Sequence, residues 1–109
     1  MNLDEKLLNE LKQLVLDNLT NEQFSVEQLS QTVGMSRSHL HRRLKKLKGQ
    51  SISQFIRVIR LEEAFVLLHE GAETSSEIAY KVGFNSPSYF TECFRKYFGE
   101  LPSEFTGSQ

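Results

Sequence analysis

The side chains able to do chemistry concentrate between Gly34 and Gly49, in the run Gly-Met-Ser-Arg-Ser-His-Leu-His-Arg-Arg-Leu-Lys-Lys-Leu-Lys-Gly. Gly34 suits a left-handed turn, a conformation that only glycine adopts cheaply. Ser36 follows as an N-cap, because its hydroxyl can accept a free backbone N–H of the next turn. Leu40, Leu44 and Leu47 then fall at helical spacing and mark a buried side. Arg37, Ser38, His41, Arg42 and Lys45 fall on another face, which must point outward. A short helix with a leucine inner face and a cationic, hydrogen-bonding outer face suits a DNA major groove. The plainer alternative is a solvated basic helix, the usual fate of a charge run, and this stretch alone does not choose between them.

Other chemistry finds no residue set. His39, His41 and His69 make no ligand cluster, since the first two point to different sides of one helix and no cysteine or further histidine completes a zinc spacing. The single cysteine, Cys93, lies beside Phe90 and Phe94 and reads as a small core residue. No Ser/His/Asp set, phosphate loop or paired-carboxylate cleft can be assembled, so neither an enzyme nor a metal or other cofactor is expected.

The charge distribution sharpens the reading. The chain has 109 residues and a net charge of −1. Residues 1–33 hold six acids and two bases, residues 34–60 eight bases and no acid, and residues 61–109 eight acids and three bases. Positive charge gathered in one central block points to an anionic partner there. The chain lacks an apolar run of membrane-spanning length and a basic-then-apolar leader, so no membrane contact is expected, and with a single cysteine and hence no internal disulfide a cytoplasmic location is the default expectation.

The elements that must position this block are all helical. Residues 3–19 form an amphipathic helix with Leu3, Leu7, Leu8, Leu11, Leu14 and Val15 as its apolar stripe. A polar connection over 18–23 leads to a second helix from Ser25, where Gln28 three residues on resembles a capping box and Val26, Leu29 and Val33 face inward. Helix, glycine turn at Gly34-Met35 and helix make a helix-turn-helix. Gly49 closes it, and a long helix follows over about residues 51–69, with Ile52, Phe55, Ile56, Ile59, Ala64, Phe65 and Leu68 as a broad apolar face. At about 1.5 Å per residue it is a rod of roughly 28 Å.

After Glu70-Gly71-Ala72 the pattern returns. Thr74 or Ser75 can cap a helix holding Ile78, Ala79 and Val82; Gly83-Phe84 repeats Gly34-Met35; Ser86 caps, with Pro87 at the favoured first helical position. Phe90, Phe94 and Tyr97 repeat Leu40, Leu44 and Leu47, while Arg95-Lys96 repeats Lys45-Lys46 and Gly99 repeats Gly49. The offset is 49 before the turn and 50 after it, so the second turn is longer by one residue. Such a repeat marks two copies of one unit. Pro102 to Phe105 make a last short helical turn, and Thr106 to Gln109 are expected to be disordered.

The expected fold class is therefore all-α, with two helix-turn-helix subdomains joined by a linker helix in a single domain: the first over about 1–50, the linker over about 51–70 and the second over about 71–106. Two readers on one chain can meet successive major grooves, about 34 Å apart on one DNA face, without a symmetric partner.

Here the residues resemble a known family. Phe24-Ser25-Val26-Glu27-Gln28-Leu29, Gly34-Met35-Ser36-Arg37, Phe55-Ile56-Arg57 and Arg60-Leu61 are similar to the first half of the DNA-binding domain of AraC/XylS-type transcription regulators. Glu77-Ile78-Ala79, Val82-Gly83-Phe84, Ser88-Tyr89-Phe90, Phe94, Phe98-Gly99 and Pro102-Ser103-Glu104-Phe105 resemble its second half. The resemblance spans about residues 10–105. It implies about seven helices, cytoplasmic binding of double-stranded DNA and, usually, activation of transcription, with RNA polymerase as a plausible partner. Most members also carry a sensor or receiver domain, so a domain cut from a longer regulator is expected. The first half is also similar to output domains of hybrid two-component sensors.

By the same resemblance, Ser38, His41 and Arg42 read bases in the first half. Arg42 can pair bidentately with guanine O6 and N7, and His41 can donate to a base acceptor or reach a phosphate. Arg37, Arg43, Lys45 and Lys46 are phosphate candidates. In the second half the corresponding positions are Ser88, Tyr89 and Glu92, flanked by Ser86, Arg95 and Lys96. Glu92 departs from the basic residue of some members: it can accept from cytosine N4, or stand in solvent and weaken this half. Tyr89 contacts a thymine methyl or a phosphate, or packs at the surface. Ser25, Thr74 and Ser86 can present helix N-termini to phosphates, with capping as their minimum role. Arg57 and Arg60 read as structural, Arg60 bridging the halves by the family pattern. The rival from another class is a helical protein-interaction module whose basic block binds an acidic partner; RNA binding and a sigma-like promoter contact are weaker alternatives.

Overall fold

The computed structural model describes residues 2–21 and 23–105. The predicted disorder of Thr106 to Gln109 falls outside these residues. Among those described the fold is all-α, with six α-helices followed by one 3-10 turn: α1 (Leu3–Asp17), α2 (Val26–Thr32), α3 (Arg37–Lys48), α4 (Ile52–Glu70), α5 (Ser75–Lys81), α6 (Pro87–Phe98) and the turn Pro102–Glu104. The chain divides into two compact units, residues 1–59 and 60–109, and the division falls inside α4. No described helix is long and apolar enough to cross a membrane.

The first unit closes over Leu11 and Val15 of α1, Leu29 of α2, Leu40 and Leu44 of α3, and Ile52, Phe55, Ile56 and Ile59 of α4. Each buried set follows the helical period of its own segment, so the stripes meet in one core. Leu7, Leu8 and Leu14 pack on its margin, but Leu3 is 82% exposed. The apolar stripe therefore starts one turn later than expected. Leu3 is the first helical residue, a full turn before Leu7, and lies past the end of the core.

The turn between α2 and α3 is the local device that aims the third helix. Gly34 has φ of 74°, and its N–H donates to the Gln31 carbonyl at 3.0 Å. A side chain there would meet the left-handed penalty. Ser36 then caps α3, its Oγ accepting from the His39 N–H at 3.1 Å. Ser25 caps α2 through the Gln28 N–H at 3.2 Å, the serine half of the predicted capping box.

The second unit repeats the construction with aromatic residues. Its core joins Leu61, Ala64 and Leu68 of α4, Ile78 and Ala79 of α5, Val82 and Phe84 of the turn, and Phe90 and Phe94 of α6. Phe90 and Phe94 stand 5.7 Å apart, and Phe94 meets Phe98 at 4.5 Å and Phe105 at 5.6 Å, spacings of favourable tilted and edge-on ring pairs. Cys93 packs on this core. Thr74 rather than Ser75 caps α5 and forms a full box with Glu77, with bonds of 3.2 and 2.8 Å. Neither Leu47 nor Tyr97, both expected to face inward, belongs to a core: Leu47 is only half-buried, at the last turn of α3 beyond Leu40 and Leu44. Tyr97 is 45% exposed, its hydroxyl donates to the Glu62 carboxylate at 3.4 Å, and Phe98 packs on the core instead. A phenol keeps its hydroxyl where it can find a partner, whereas phenylalanine has no such requirement. Burial and the neighbouring Glu62 raise the Tyr97 pKa. Arg60 is half-buried, which lowers its pKa.

Candidate nucleic-acid interface

The outer face of α3 carries Arg37, Ser38, His41, Arg42, Lys45 and Lys46, and all six are exposed. The inner face is set by Leu40 and Leu44, both at 0% exposure, so the rotation of the helix about its axis is fixed by its leucines. Among the described residues no carboxylate pairs with Arg42, Lys45 or Lys46. Lys45, Lys46 and Lys48 lie in the last turn, where cations meet the negative end of the helix dipole.

Four of these side chains come together. Arg37, Ser38, His41 and Arg42 line an open cleft of about 510 Å³ with Val26 of α2 and Ser51, Ile52 and Ser53 at the start of α4. Val26 and Ile52 are its apolar members, and the rest offer donors or hydroxyls. Lys45 and Lys46 stand further along the helix and do not line it. Ser51 and Ser53 escaped the sequence reading, although Ser51-Ile52-Ser53-Gln54 after a closing glycine carries a capping-box signal. The box forms: Ser51 Oγ accepts from the Gln54 N–H at 3.1 Å, and Gln54 Oε1 accepts from the Ser51 N–H at 2.9 Å.

Among the described residues of the first unit, Arg37 and Arg43 have acidic neighbours. Arg37 Nη1 is 3.4 Å from Glu27 Oε1 of α2, with both side chains more than 60% exposed. Arg43 pairs with Asp4 of α1 and is only 32% exposed at its side chain, so it faces α1 rather than the cleft.

In the second unit, Ser86 Oγ accepts from the Tyr89 N–H at 3.3 Å and caps α6, with Pro87 in the first turn. Ser88, Tyr89, Glu92, Arg95 and Lys96 are exposed, while Ser86 is half-buried. The Tyr89 ring lies 5.9 Å from that of Phe84, which props it at the surface. Glu92 pairs with Lys96 one turn on at 3.3 Å. Lys81 pairs with Glu73 at 3.1 Å. The outer face of α6 is therefore nearly charge-balanced, unlike that of α3.

The helix-turn-helix domain family matches residues 29–108. An AraC-type transcriptional regulator from Chromobacterium violaceum has the same fold, with a TM-score of 0.85 and 28% identity over 94% of this chain and 90% of that one. The chain belongs to the AraC/XylS type of DNA-binding domain. As such it is a DNA-binding module of transcription regulation. The AraC-type domain is also similar to the DNA-binding domain of AdpA in complex with a target DNA, at a TM-score of 0.79 and 32% identity, covering 93% of this chain and 90% of that one. Among curated relatives it is 33% identical to the probable transcription factor PqrA of Proteus vulgaris, covering 93% of this chain and 84% of PqrA. It is 43% identical to histidine kinase P4 of Formosa agariphila over 94% of this chain, but spans only 8% of that protein.

Proposed function

We propose that the two units act as one DNA-reading domain. α3 and α6 enter two major-groove segments of double-stranded DNA one helical turn apart. The observation that carries this is the pairing of two twelve-residue helices, each capped by serine and closed by a left-handed glycine, each with an apolar inner and a polar outer face. In α3, Ser38, His41 and Arg42 read base edges, and Arg37, Lys45 and Lys46 hold phosphates. In α6, Ser88, Tyr89 and Glu92 take the reading positions, and Ser86, Arg95 and Lys96 meet the backbone. Base edges carry the sequence information and phosphates fix the register.

The domain serves as the output module of a larger cytoplasmic regulator, activating transcription together with RNA polymerase. The small share of histidine kinase P4 that it matches supports the output role. Footprinting on a selected site tests the geometry. One monomer should protect two major-groove segments on the same face. Inserting about five base pairs between them turns one segment to the opposite face, since a turn takes about 10–10.5 base pairs. Affinity should then collapse. Unchanged affinity would show that a single unit reads the site.

A further inference from the structure

We propose that Glu27 is an internal competitor for Arg37 and sets how much of that cation the DNA can use; this rests on the DNA-reading role of α3. Glu27 is the sole acid among residues 23–60, which carry eight bases. It sits in the first turn of α2 with its carboxylate 3.4 Å from Arg37 Nη1. Arg37 opens α3 and lines the cleft shared with Ser38, His41 and Arg42. Both partners are more than 60% exposed, so the pair is weak and open to exchange.

A phosphate reaching Arg37 must displace the carboxylate. Arg37 then changes partner without gaining a charge contact, and Glu27 is left unpaired in solvent, screened by the salt. The DNA sheds about 0.9 of a condensed counterion at that phosphate. Screening of the freed Glu27 by salt offsets part of that release, so Arg37 counts for less than a full phosphate contact in the salt dependence. Glu27 also stands within a Debye length of about 8 Å of any phosphate held there and repels it. Both effects hold down the purely electrostatic part of binding, the part common to every sequence.

The test is a double-mutant cycle by mobility-shift titration of one specific duplex at several salt concentrations. It uses the wild-type chain, Glu27→Gln, Arg37→Ala and the double variant, with Arg42→Ala as an independent reporter of DNA reading. Glu27→Gln should tighten binding by roughly 1.4-fold to fivefold, the range spanned by an exposed ion pair. Its log K against log salt should steepen by up to about 1. In the Arg37→Ala background the steepening should vanish and the tightening shrink. Thermal melts of all variants should stay close to wild type. An equal gain with and without Arg37 would overturn the competition and leave only a general field effect. So would unchanged affinity and slope in a folded Glu27→Gln protein whose Arg42→Ala counterpart loses affinity. If instead Arg42→Ala binds as tightly as wild type, the DNA-reading role of α3 itself has failed.

Discussion

Arg42 and Glu92 occupy equivalent places in α3 and α6, fifty residues apart. Arg42 has no acidic partner among the described residues, so its guanidinium is available to a guanine edge. Arg42→Ala should cost about 1–3 kcal/mol of specific binding and relax preference at one base pair. Glu92 is tied to Lys96 at 3.3 Å. Glu92→Ala should release that lysine and remove repulsion from the backbone, tightening non-specific binding slightly while flattening any preference in the second half-site. Titration against specific and scrambled duplexes at one salt concentration checks both. The assignment fails if Glu92→Ala weakens both duplexes alike while Arg42→Ala changes neither.

At the scale of elements, caps and closing glycines set where each helix starts and stops. Gly49 adopts φ of 69° and its N–H donates to the Lys45 carbonyl at 2.9 Å. An added Cβ would meet nothing within 4 Å, so any cost of Gly49→Ala is conformational. The substitution should destabilise by about 1–2 kcal/mol in denaturant unfolding. Gly49→Asn should cost less, because asparagine tolerates this region. The box at α5 predicts a pH dependence. The Thr74 backbone N–H, then its hydroxyl, holds the Glu77 carboxyl below its ordinary value of 4.5. A lowered folded pKa gives stability that is present above the unfolded value and lost as pH falls through the folded one. The melting-temperature gap between wild type and Glu77→Ala should therefore be steady near neutrality and narrow below about pH 4.5. A gap that persists unchanged at low pH would show that the carboxylate charge plays no part.

The whole molecule carries a net charge of −1, yet its two helix-turn-helix segments differ sharply. Residues 25–49 hold six bases and one acid, while residues 74–99 hold three bases and two acids. Phosphate attraction should come mainly from the first. If about six phosphates are neutralised in all, log K against log salt should fall with a slope of roughly −5. A slope near zero would remove the electrostatic basis of the DNA reading. Neutralising Lys45 and Lys46 together should flatten the slope more than neutralising Arg95 and Lys96, because Lys96 already shares its charge with Glu92.

Much of this domain was determined by the sequence alone, because its signals are local. Helical periodicity, serine and threonine caps and glycine stops act within one or two turns, so the elements, most of each core and the outward faces of α3 and α6 could be read directly; the burial of Leu61 and the half-exposure of Leu47 could not. The repeat doubled each signal, and the family wording pointed to DNA. What required the tertiary structure were encounters between different helices. The stripe of α1 could not show that its first leucine overhangs the core. The match of Tyr97 to Leu47 could not show that a phenol would turn to Glu62 and leave Phe98 to pack. Arg43 read like any other cation of the block until α1 brought Asp4 to it, and Arg37 until the turn at Gly34 brought Glu27 within reach. Periodicity decides which side of a helix faces inward; the packing of neighbouring helices decides which charges meet.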